Sequence, residues 1–217
     1  MHHPFEAILF DNDGVLVDTE RLYFQANRET LAQLGIELDE AAYVELFLRD
    51  NLGAWHLAEQ RGVDASTITR LRAARDARYL RLLADTDILI PGVARIVSAL
   101  KARYRLGIVT SSQPEPFACA HARTGLLSEF EFALTRRDYV HSKPHPEPYL
   151  RAVERLSLPA ERCLVIEDSE RGLASARAAG LCCWVIPSSL TRGLAFAGAD
   201  AVLPDLAAAA ERLLSPG

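Results

Sequence analysis

An α/β fold is predicted for this chain: a doubly wound, mainly parallel sheet with an inserted four-helix unit after its first strand. Three observations lead there. Five short apolar runs, with the length and composition of buried parallel strands, recur along the 217 residues. Helical stretches alternate with the later runs, as a parallel sheet requires for its crossovers. Between the first and second runs, residues 18–89 hold no convincing strand and read as helix throughout.

The first strand is "AILF" at 7–10. The insertion opens with "ERLYFQANRETLAQLG", which ends on a C-cap at Gly35, and continues through "DEAAYVELFLRDN" to "LGAWHLAEQRG", ending at Gly62. Its fourth helix, "DASTITRLRAARDARYLRLLA", starts from Asp64 or Ser66 as N-cap and carries arginine on its polar positions. Pro91 and Gly92 then open "PGVARIVSALKARY", which returns the chain to the core. The remaining strands are "LGIVT" (106–110), "CLVIE" (163–167), "CCWVI" (182–186) and "AVL" (201–203), and "LAAAAERLL" closes the chain as a helix. Residues 1–17 and 90–217 are thus expected to form the α/β core and residues 18–89 a helical cap.

Composition narrows the partners. Apolar residues make up 49% of the chain, enough for a sizeable core, and the net charge of -5 supplies no basic footprint for nucleic acid or an anionic membrane. A small soluble substrate is expected instead. Cys119, Cys163, Cys182 and Cys183 lack the spacing of a zinc site and read as buried reduced thiols. Neither a signal-peptide pattern nor an apolar run of about 18 residues is present, so a cytoplasmic location is expected. His2 and His3 carry no weight in this reading.

In open α/β sheets, ligands bind beyond the carboxyl ends of the strands. Asp11 and Asp13 follow the first strand, Thr110, Ser111 and Ser112 the second, and Glu167 and Asp168 end "CLVIE"; Lys143 lies in "HSKPHPEPY", before a helix starting near Pro146. Two acids one residue apart repel unless a cation or a shared proton intervenes. Hard carboxylate oxygens suit Mg²⁺, which keeps coordination positions for water and phosphate. Taken singly, these residues have quieter readings: Glu167 and Asp168 as helix caps, Thr110 and the serines as a turn, Lys143 as a solvated charge.

Together, "DNDGV" (11–15), "VTSS" with Thr110, "SKPHPEPY" with Lys143 and "IEDSERGLASARAAG" with Glu167 and Asp168 occur in order along the chain. In these motifs the chain resembles the haloacid dehalogenase superfamily, in the branch with a small helical cap that includes β-phosphoglucomutase and sugar-phosphate phosphatases. The resemblance implies that Asp11 is a nucleophile that becomes an aspartyl phosphate, and that Asp13 is first general acid and then general base. It implies Mg²⁺ held by the Asp11 carboxylate, the Asp13 backbone carbonyl and Asp168, with Glu167 in support, and phosphate oxygens bound by Thr110, Ser111 and Lys143. The expected activity is hydrolysis of a small phosphorylated metabolite, such as a sugar phosphate.

Asp13 argues against dehalogenation, since relatives with that chemistry lack the second aspartate. A phosphomutase is the alternative, although the mutase branch carries a histidine where Tyr23 stands here. A receiver-type phosphoaccepting module is disfavoured by chain length and motif order. Asn12, where the family most often has an apolar residue, is expected to point away from the site with a packing consequence only. In the cap, Arg49 is the expected substrate contact and Arg75 a weaker one, while Trp55 reads as cap core and His56, His121, His141 and His145 as surface or structural residues. The cap is expected to close during reaction about hinges near 18–20 and 88–92.

Overall fold

A computed structural model describes residues 4–215; His2 and His3 lie outside the described residues. The chain forms two compact units, Met1–Asp18 with Ile88–Gly217, and Thr19–Asp87.

The first unit is built on a six-stranded sheet in the order β3-β2-β1-β4-β5-β6, every pairing of which is parallel. Its strands are β1 (Ala7–Phe10), β2 (Arg105–Val109), β3 (Phe132–Leu134), β4 (Cys163–Glu167), β5 (Cys182–Val185) and β6 (Ala201–Val202). Five of them fall on the expected runs. The sixth, β3, is a correction to the five-strand reading: "FAL" is too short to carry a periodic signal, and its place is set by Leu134, whose carbonyl takes the N–H of Thr110.

Side-chain alternation along the central strands sorts the core into two layers. Ile8, Phe10, Leu106, Ile108, Leu164, Ile166 and Trp184 face one way, onto α5 (Val93–Lys101), α6 (Pro114–His121) and α9 (Leu206–Leu214). Ala7, Leu9, Val109, Val165, Cys183 and Val185 face the other, onto α7 (Glu147–Leu156) and α8 (Glu170–Ala178). Because β1 is buried on both faces, all four of its residues are fully apolar. Gly107 is fitted closely: a Cβ there would lie 2.6 Å from the Phe132 ring and 3.1 Å from Leu9.

The second unit has four helical segments: α1 (Glu20–Ala32), α2 (Glu40–Tyr43), α3 (Trp55–Gln60) and α4 (Ala65–Asp85). Asp64 caps α4 by accepting the Thr67 N–H at 2.9 Å. One departure from the expected pattern is that α2 runs on into a π-helical stretch, Val44–Arg49, closed by the Asp50 N–H to the Glu45 carbonyl. Trp55 is buried. Arg75, read from sequence as surface or ligand contact, is also buried, donating to Tyr23 Oη at 2.7 Å and Asn27 Oδ1 at 2.8 Å and pairing with Asp76. A guanidinium under a helix face needs this full set of acceptors, so Arg75 ties α4 to α1. Arg49 ends the π-helical stretch and is exposed.

The cysteines are all free thiols, but only Cys163 and Cys183 are buried; Cys119 and Cys182 are half-buried. Among the described residues, no helix is long and apolar enough to cross a membrane.

The loop carrying Lys143 is tied at its base by Glu147, whose carboxylate accepts the N–H groups of Val140 at 3.0 Å and His141 at 2.8 Å. Those two bonds, aided by Arg151, hold the Glu147 carboxyl down from 4.5 to about 2. A depressed acid stabilises the fold fully above its unfolded value and loses that contribution as pH falls toward the folded one. The difference in thermal midpoint between the wild type and Glu147→Gln should therefore be constant above 4.5 and shrink on acidification toward 2. A pH-independent difference in scanning calorimetry would count against the tether.

Candidate active site

Register brings the reactive residues into one row. Phe10 is level with Ile108 on β2 and Ile166 on β4, so the next residues, Asp11, Val109 and Glu167, reach the same height at the carboxyl edge. The Asp11 N–H continues the ladder to the Ile166 carbonyl at 2.9 Å. β1 sits where the strand order reverses direction, flanked by β2 and β4, the position at which a crevice opens in such sheets.

Lys143 is the centre of the arrangement. Its ammonium donates to Asp11 Oδ1 at 2.7 Å, Glu167 Oε1 at 2.6 Å and the Val109 carbonyl at 2.8 Å, and its Nζ lies 4.8 Å from the Tyr149 ring centroid. Only 4% of the residue is exposed, so the solvated-charge reading of Lys143 is overturned. Burial works against its charge, but Asp11 and Glu167 more than offset this and raise its pKa above that of a free lysine.

Glu167 is fully buried and saturated with donors. Besides Lys143 it accepts the Tyr149 hydroxyl at 2.7 Å, the Ser169 hydroxyl at 3.0 Å and the Asp168 N–H at 3.2 Å. Desolvation pushes the Glu167 carboxyl up; Lys143 and the hydroxyls outweigh it and bring it below the ordinary value. Asp11 fares differently. Burial, opposed by Lys143 but reinforced by Glu167 and Asp13, lifts it from 3.8 to about 8. One ammonium does not neutralise both carboxylates.

Asp13 accepts at one oxygen, Oδ2, the hydroxyls of Thr110 at 2.8 Å and Ser112 at 2.9 Å. Thr110, expected to bind phosphate, donates to Asp13 and is positioned by Tyr139, whose hydroxyl donates to the Thr110 carbonyl at 2.7 Å. The Ser111 Oγ is buried with no hydrogen-bond partner in the protein.

Asp11, Glu167 and Asp168 present carboxylate oxygens within 4.8 Å of one another. The donor set is hard and anionic, and it fits a divalent cation such as Mg²⁺. The Asp13 carboxylate is not in this group; the atom of Asp13 expected as a ligand from sequence is its backbone carbonyl. Two glycines make the group possible. A Cβ on Gly14 would fall 2.1 Å from Asp168 Oδ2, and one on Gly172 within 2.0 Å of both Glu167 carboxylate oxygens.

Sequence motifs gathered Asp11, Asp13, Thr110, Ser111, Lys143, Glu167 and Asp168, and the structure brings all seven to this edge of the first unit. Arg49 belongs to the second unit. Glu167 and Asp168 do not cap the following helix; Ser169 does, accepting the Gly172 N–H. Sequence reasoning singled out neither Tyr149 nor Ser169, and named Ser112 only among the residues that follow the second strand. A tyrosine opening a helix six residues after Lys143 was the available signal, because a buried hydroxyl needs a partner.

Comparison with known proteins agrees. Protein CbbY of Rhodobacter capsulatus is 37% identical over 96% of this chain and 97% of its own length. Fructose-1-phosphate phosphatase YqaB of Escherichia coli is 26% identical over 83% of this chain and 96% of its own. The crystal structure of a mutant CbbY from Rhodobacter sphaeroides in complex with xylulose-(1,5)bisphosphate superposes with a TM-score of 0.76 at 32% identity, over 94% of this chain and 95% of that one. The family profile of haloacid dehalogenase-like hydrolases matches residues 5–180, and the chain belongs to that family.

Proposed function

We propose that this protein is a Mg²⁺-dependent phosphatase acting on a small sugar phosphate through an aspartyl-phosphate intermediate. The observation that carries the reading is the convergence of Asp11, Glu167 and Asp168 with a buried lysine at one strand edge. Such a cluster suits phosphoryl transfer, which asks mainly for positioning and charge neutralisation.

Lys143 and the β4 ladder hold Asp11 by Oδ1 and by its N–H, leaving Oδ2 as the oxygen to meet phosphorus. As the Asp11–phosphorus bond forms, the bond from phosphorus to the ester oxygen breaks. Asp13, held at Oδ2 by two hydroxyls, gives that leaving oxygen a proton from Oδ1. It then takes a proton from water, whose oxygen attacks phosphorus and frees Asp11. The buried Ser111 hydroxyl is a ready donor for a phosphoryl oxygen. Mg²⁺ would sit on the Asp11 and Asp168 carboxylates and the Asp13 carbonyl, supplying positive charge to the phosphoryl group as negative charge builds there. Glu167 acts chiefly through Lys143.

A sugar phosphate is favoured by the relatives' names, and xylulose-1,5-bisphosphate, bound in the CbbY crystal, heads the candidates. Incubation with Mg²⁺ and a panel of phosphate esters, including that bisphosphate, fructose 1-phosphate and glucose 1-phosphate, should release free phosphate from at least one. Isomerised sugar phosphate without release would establish a mutase instead, and no turnover of any ester would remove the reading.

Asp11→Asn should lower turnover about 10³-fold or more, the scale seen on removing a nucleophile, while the thermal midpoint holds. An amide replaces a carboxyl that burial already drives toward its neutral form. Activity near wild type in a steady-state assay would exclude Asp11 as nucleophile.

A further inference from the structure

The residue between the two aspartates turns its side chain the other way. Asn12 is 1% exposed, and its Oδ1 lies 2.7 Å from Nε2 of His121, the last residue of α6. His121 is itself 5% exposed, its Nδ1 is 3.1 Å from Thr124 Oγ1, and its ring packs 4.7 Å from that of Phe117. An amide oxygen only accepts, so the imidazole carries a proton on Nε2; the Thr124 hydroxyl beside Nδ1 donates to the His121 carbonyl at 3.3 Å. Of the two readings of His121, surface or structural, the structural one holds, and Asn12 points away from the site as expected.

The pair is costly where an apolar contact would do. The Asn12 Nδ2 is buried with no partner, so one hydrogen bond carries the whole polar side chain. That bond is directional, however, and Asn12 is the hub of its turn: its carbonyl accepts the N–H of Leu16 at 2.9 Å and of Val17 at 3.2 Å, closing the loop that bears Asp13 and Gly14. Twisting the Asn12 side chain turns its flanking peptides, and those peptides aim the two carboxylates.

We propose that His121, through its Nε2–H···Oδ1 bond to Asn12, is a positioning residue for phosphoryl transfer, setting Asp11 and Asp13 in register with one phosphoryl group. This rests on the phosphatase reading. His121 touches no reacting atom and acts only through Asn12.

The test compares His121→Phe, which keeps a ring but removes the donor, with His121→Gln, whose amide can donate to Asn12, and with the paired apolar change Asn12→Leu/His121→Phe. His121→Phe should lower kcat about 10- to 100-fold, the scale of a small misplacement of reacting groups, with KM for the ester changed far less. His121→Gln should recover most of kcat. The double variant should regain the thermal midpoint, since both polar partners are gone, but not kcat. Wild-type kcat in His121→Phe, or recovery of kcat in the double variant, would overturn the proposal by reducing the pair to packing. If His121→Phe does not fold, Asn12→Leu carries the same expectation. If the wild type hydrolyses no ester, the phosphatase reading falls by itself, and the side-chain carboxyl ¹³C resonances of Asp11 and Asp13 decide: shifts in His121→Phe sustain the coupling, and unchanged resonances end it.

Discussion

A buried ammonium bridging two carboxylates is the interaction on which the rest of the site depends. Lys143 reaches from its loop across the end of β2 and joins Asp11 to Glu167, although these acids lie 156 residues apart in the chain. Burying any of the three alone would cost several kcal/mol. As a triad they are tolerable but unbalanced. Glu167 is further satisfied by its hydroxyl donors, while burial and the neighbouring acids disfavour the ionised form of Asp11. Asp168 and Asp13 add further negative charge nearby. Carboxylates are thus crowded beside a buried lysine, an arrangement that supports the proposed metal ion.

Backbone geometry makes this crowding feasible. Parallel register sets Asp11 beside Glu167, and two glycines remove the Cβ atoms that would collide with Asp168 and Glu167. Gly14 also takes a φ of +85°, which an L side chain rarely adopts. Hydroxyls do the finer work. Tyr149 and Ser169 satisfy Glu167, while Thr110 and Ser112 hold Asp13, so that two acids on neighbouring strands keep different partners and different roles.

Much of this was legible in the sequence. Five of six strands, the helical insertion and the row of acids at the strand ends follow from apolar runs and from what comes after them. β3 was not legible, because three residues give no period and its pairing to β2 is a long-range event. Nor was the burial of Lys143 and Arg75. A long cationic side chain is usually exposed, and only the three-dimensional set of acceptors reverses that expectation. Glu167, expected from sequence as support for the metal, does stand in the acid group, but its pairing with Lys143 was not legible for the same reason. The Asn12–His121 pair spans 109 residues and matches no local pattern.

The acids gathered around Lys143 are proposed to hold a divalent cation. Isothermal titration of Mg²⁺ into metal-free wild type and Asp168→Asn tests it most directly. One saturable site is expected in the wild type, weakened at least tenfold by loss of a single carboxylate. Absence of saturable binding at millimolar Mg²⁺, or equal affinity in the two proteins, would contradict it.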